Sequence, residues 1–168
     1  MRNKPIQAAA GAGALGAVVL FLLQLLMWSN HFNGPPPGVV LVGQRFDLYG
    51  APAIAAGGLL FWLAGLVWGA LYGAILPRHT PMSGLLFSLA PTIFALTLLP
   101  PLLDKPIFAG GDLKGISIQL LLNALWGVLV GFLTPTIQAA RAAASTRQGT
   151  SRGNPKGHKR SVEEKRRT

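Results

Sequence analysis

The chain has 168 residues, 51% hydrophobic and only 12% charged, with 15 Lys and Arg against 5 Asp and Glu and a formal net charge of +10. Soluble domains carry about 25% charged residues, and here every charged residue lies outside long apolar runs, which argues against a water-soluble globule. The absence of cysteine excludes thiol–disulfide chemistry, cysteine-ligated zinc, iron–sulfur clusters and a disulfide-stapled fold.

The first apolar run, Ala8 to Trp28, follows Arg2 and Lys4. A basic start also opens secretory signals, but this run is longer than a signal's apolar core and no small-residue cleavage motif follows. It reads as a retained span. The next segment, 29–52, contains NGPPPG, whose prolines favour extended polyproline geometry. Val39 to Val42 reads as a short strand or a surface-resting stretch, too short to span. The second span is placed at about 53–76. The turn PRHTPM, 77–82, is short enough to force an antiparallel hairpin. The third span, about 83–103, contains Pro91, which predicts a kink; Ser88 and Thr92 are candidates to satisfy the freed carbonyl. A second loop, 104–115, leads to the fourth span at about 116–133, with IQAARAAAS continuing the helix for two turns.

Runs of this length without charge read as transmembrane helices. The expected fold is therefore an all-α membrane protein, a four-transmembrane-helix bundle over 1–139. A basic, mostly disordered cytoplasmic tail is expected over 140–168, since from Thr146 onward the chain has almost no apolar residue to bury. Arg141, Arg147, Arg152, Lys156, Lys159, Arg160, Lys165, Arg166 and Arg167 lie in that tail. Together with Arg2, Lys4 and Arg78 they place both termini in the cytoplasm by the positive-inside rule, in the inner (plasma) membrane of the cell. Arg45, Lys105 and Lys114 fall in the outer loops, offset by Asp47, Asp104 and Asp112. Anionic lipid headgroups are the expected partners of the tail. It lacks the interleaved aromatic residues that stack on bases, which disfavours nucleic acid.

One pattern recurs. GLVWGALYG, 65–73, and NALWGVLVG, 123–131, share Trp-Gly-x-x-x-Gly, and a proline follows each, Pro77 and Pro135. Gly65, Gly69 and Gly73 share one helix face, as do Gly127 and Gly131, and Ala9, Gly13 and Ala17 form a related stripe. Small residues at this spacing allow close backbone approach in lipid. The stripes either join the helices of one chain or present a face to a membrane-protein partner or a second copy. Trp68 and Trp126 lie deep for interfacial residues, so each indole is expected over a groove on a neighbouring helix or facing lipid. The repeat suggests two helical hairpins, spans one–two and three–four.

Candidate chemistry is sparse. No acidic or basic residue lies in a span, where enzymes and ion-coupled transporters keep them. The strongly polar groups there are Gln24, Gln119 and Asn123, which either bridge helices by amide hydrogen bonds or line a solute path. A metal site would require His31 to converge with the loop aspartates. No zinc-protease, nucleophile-elbow or phosphate-loop pattern occurs, and GAGALG, 11–16, lies in an apolar run with no preceding strand. No catalytic, cofactor-binding or metal-binding residue is assigned, and no enzyme activity is expected.

With its glycine-striped helices, WGALYG, WGVLVG and basic tail, the chain resembles the small four-span inner-membrane proteins of bacteria over residues 8–139. That resemblance implies no activity and no site residue. It is also similar in span number to small multidrug transporters, but their membrane-embedded acidic residue has no counterpart in the first span, where Gln24 stands as the strongly polar group. The leading functional expectation is a non-enzymatic membrane protein acting through helix packing, as an accessory or assembly partner. The alternatives are a small-solute channel or facilitator lined by Gln24, Gln119 and Asn123, a holin-like pore former and, last, a membrane enzyme.

Overall fold

A computed structural model describes residues 3–152, with side chains over 5–145. Among the described residues every regular element is a helix: α1 (Asn3–Ser29), α2 (Pro37–Phe46), α3 (Gly50–Ile75), α4 (Pro81–Phe87), α5 (Leu89–Thr97), α6 (Leu99–Leu102) and α7 (Leu113–Arg152), with a 3-10 turn at Ile107–Gly111 before α7. Four segments are long and apolar enough to cross a membrane: Pro5–Ser29, Gly50–Ile75, Pro81–Leu102 and Leu113–Ser145. The chain is an all-α four-span bundle.

The most extensive pairing joins α1 to α3. A Cβ built on Gly69 would stand 3.0 Å from the Gly13 Cα and closer still to the Ala9 carbonyl, and Gly73 meets the Ile6 Cα in the same way. Gly65 lies against Gly13 and Ala17. The α3 glycines thus seat on the Ala9–Gly13–Ala17 stripe, backbone against backbone. A lipid tail is as apolar as leucine, so the gain comes from dense dispersion contacts and weak Cα–H···O bonds.

The second pairing joins α4 to α7. Gly127 lies against the Gly84 backbone and 2.7 Å, by the same construction, from the Ser88 Cβ; Gly131 meets Thr80 and Pro81. Gly84 is the partner position that the repeat does not reveal, because it stands alone in its own helix. The pairs meet where the Trp126 indole covers Gly16 and donates its Nε1–H to the Gly13 carbonyl at 3.1 Å.

The third span is broken into α4, α5 and α6. Pro91 lacks the N–H that would reach the Phe87 carbonyl, and the helix is interrupted at Ser88. The expected repair takes another form: the Ser88 hydroxyl donates to the Leu85 carbonyl (2.6 Å) and the Thr92 hydroxyl to the Ser88 carbonyl (2.7 Å). The break therefore spreads over a turn. The two copies of the repeat also end differently. Pro77 follows the end of α3, whereas Pro135 sits inside α7, which runs on through alanines, the residues that favour helix most. Its backbone is helical to Arg152, beyond Thr146 where a structureless tail is expected; residues 153–168 lie outside the described residues.

The reading of Val39 to Val42 as a short strand, and of the prolines before it as wholly extended, is corrected by α2. Pro37 occupies the first helical position of α2, where a missing N–H costs nothing and the ring's fixed φ suits a helix. Val39 and Val42 then fall on one face and are buried with Phe21 and Ala53. Gly38 abuts the Gly57 backbone, which lays α2 across the top of α3. Asp47 ends the helix in the left-handed region (φ 55°).

Replacing Gly69 by Leu forces α1 and α3 apart and should destabilise the bundle by about 1–3 kcal/mol or more, the range for overpacked interiors. Gly11 has nothing within 4 Å of an added Cβ, so Gly11→Ala should be neutral or stabilising by up to ~1 kcal/mol. Melting temperatures of both variants in one mild detergent check the contrast.

Candidate functional site

Close approach on two sides of the bundle leaves the opposite side wider. There α3 meets the third span through rings: Trp68 packs edge-on against Phe94 of α5 (5.8 Å between centroids) and Phe87 of α4 (6.2 Å). Above these rings lies a cavity of about 240 Å³ bounded by every span. Pro37, Gly38 and Leu41 of α2 form its roof, Leu60, Phe61 and Trp68 of α3 one wall, Phe94 of α5 and Leu99 of α6 another. Trp126 of α7 and Ala17 of α1 line the remainder.

The structure brings all three span amides of the sequence reading into this one cavity: Gln24 from α1, and Gln119 and Asn123 one turn apart on α7. The Asn123 amide donates to the Gln119 carbonyl at 3.1 Å, an intrahelical bond that leaves its oxygen for another partner. Gln24 is 6% exposed, and its Oε1 is enclosed without a hydrogen-bond partner. It bridges to neither α7 amide. A buried amide in that state costs about 1–3 kcal/mol. Every lining residue is uncharged, so the cavity suits a neutral group that can accept or donate hydrogen bonds. The aromatic walls and the α2 roof are invisible to sequence periodicity, because they depend on how far apart the helices stand.

The glycines are placed differently. Gly65, Gly69, Gly73, Gly127 and Gly131 lie at helix contacts within the chain; Gly65 also reaches the cavity edge. Among the described residues no cluster of His, Asp and Glu could hold a metal ion. Asp112 instead accepts from the Lys114 and Gly115 amides at 3.1 and 2.9 Å and caps α7. Asp47 accepts from the Tyr49 hydroxyl at 2.6 Å, which raises the Tyr49 pKa.

Comparison with known protein families, characterised proteins and solved structures returns no match. The geometry alone bears on function.

A second polar cluster, which the sequence reading does not single out, closes the α3–α4 hairpin. Tyr72 is fully buried, and its hydroxyl lies 2.8 Å from the Ser83 hydroxyl. Thr80 and Ser83 form a reciprocal capping box at the start of α4. The His79 ring stands edge-on to Tyr72 at 5.1 Å, with Nε2 enclosed and unpartnered. Burial lowers its pKa below the ordinary value.

Two predictions follow from these polar groups. Gln24→Leu removes an unpaired amide at nearly constant volume and should raise unfolding stability by about 1–3 kcal/mol, read from melting in detergent. For His79 the folded state favours the neutral ring. Its contribution to stability is full above the ordinary pKa of ~6.5 and declines as pH falls from there through the lowered folded value. Melting scans across that interval should show this loss, and His79→Gln should flatten it.

Proposed function

We propose that the chain is a non-enzymatic, multi-pass protein of the inner (plasma) membrane that binds a small neutral molecule in its intramembrane cavity. The observation that carries this reading is the convergence of the Gln24, Gln119 and Asn123 side chains on one cavity whose other lining residues are almost all apolar. A protein interior leaves a polar group unmatched only at a cost, and a bound molecule or water offsets it. Aromatic walls with a few convergent polar groups are the usual composition of a small-molecule site.

The N-terminal end of α1, the α3–α4 turn and the later part of α7 share one end of the bundle, since Gly73 meets Ile6 and Gly131 meets Thr80. The basic residues at that end support a cytoplasmic placement of both termini by the positive-inside rule. The cavity then lies toward the outer side, under α2. Toward the cytoplasm, Trp68, Tyr72 and Phe87 pack ring against ring. This favours binding, or carriage with a conformational step, over a continuously open channel. The accessory-partner reading rested on an outward glycine face. The two Trp-Gly stripes are engaged inside the chain, so that reading draws no support from them.

Purified protein in liposomes should retain a neutral aromatic alcohol such as benzyl alcohol. Asn123→Leu should weaken retention by about tenfold, roughly the value of one buried hydrogen bond, without lowering the melting temperature. Equal retention by the variant would remove the cavity amides from function.

A further inference from the structure

The cavity's size and its opening bear on what enters it. At about 240 Å³ it falls below the roughly 300–1,000 Å³ of sites that enclose a whole drug-sized molecule. That size suits a head group. Its walls also reach the bundle's outer surface. Leu60 of α3 and Phe94 of α5 both line the cavity and are each 38% exposed. The gap between α3 and α5 therefore opens sideways, within spans Gly50–Ile75 and Pro81–Leu102, at a depth where a membrane supplies lipid and not water. Pro91 of α5 is itself a lining residue.

We infer that the ligand is a neutral lipid carrying a hydroxyl or carbonyl head group, which enters from the bilayer between α3 and α5, places its head on Gln24, Gln119 and Asn123, and leaves its tail in the gap along Leu60 and Phe94. This rests on the binding reading above and narrows it. The sign of the head group follows from the lining. An ionised head would find no countercharge among these residues and would lose its hydration. A purely apolar molecule would leave the Asn123 amide oxygen, which its intrahelical bond does not use, unmatched. A hydroxyl both donates and accepts, so it serves a carboxamide in either orientation. Trp68 and Phe94 offer the flat walls against which a head and the first methylenes of a tail can lie.

The test uses the full chain in phosphatidylcholine liposomes with a diazirine-bearing long-chain fatty alcohol, and a diazirine-bearing fatty acid of equal length, ionised, as the charged counterpart. Benzyl alcohol is the competitor without a tail. The alcohol should label α3 and α5 around Leu60 and Phe94, benzyl alcohol should compete, and the fatty acid should label about tenfold less. Gln24→Leu, which the fold should tolerate, should cut labelling by the alcohol about tenfold. Labelling spread equally over lipid-facing positions such as Leu121 and Phe132, both well exposed, and unchanged in Gln24→Leu, would overturn the inference. Retention of benzyl alcohol with no site-specific labelling by the fatty alcohol would also overturn it, while leaving the binding reading in place. Failure of both probes would end both.

Discussion

The contact on which the rest depends is the meeting of bare backbone between α1 and α3. Gly13 and Gly69 each stand where the other's Cβ would go. In water a larger apolar interface would serve, because burial itself is favourable. In lipid that drive is absent, and proximity has to supply the attraction. The same solution recurs between Gly84 and Gly127. Two tight antiparallel pairs result, with α3 and α7 running in the same direction.

Joining two tight pairs fixes where the bundle is loose. The joint itself is between α1 and α7, where Trp126 lies over Gly16 and its indole N–H reaches the Gly13 carbonyl. A glycine faces that indole, so the approach is close there too. The remaining side carries Trp68, Phe87 and Phe94, whose rings keep α3 away from α5. The cavity is thus a consequence of unequal side-chain sizes around a ring of four spans. Small residues close two sides of the ring, the Trp126 indole joins the third, and the rings of Trp68, Phe87 and Phe94 prop the fourth. The amides project into the space that remains.

Polar groups in the bundle divide into satisfied and unsatisfied. The Thr92 and Thr134 hydroxyls are tied to carbonyls one turn back, at 2.7 Å each, as hydroxyls in membrane helices commonly are. Tyr72 is tied to Ser83 at the hairpin. Gln24 differs, because a long amide cannot fold back onto its own helix without leaving one end unmatched. That difference in how the polar groups are satisfied is not expressed by sequence position.

By itself the sequence determined the number of spans, their approximate limits and the helical class, since each follows from uncharged length against bilayer thickness. The glycine stripes were legible as contact faces for the same local reason, a spacing of four on one helix. Their partners were not: Gly84 carries no repeat of its own, and only the packing of α4 against α7 identifies it. α2 was misread because a proline run looks extended until its last member is seen to open a helix. Gln24, Gln119 and Asn123 stood out as polar residues in apolar runs, yet whether they bridge helices or share a space depends on distances between helices. Those distances are set by pairs of side chains far apart in the chain, and so only the tertiary structure decided them.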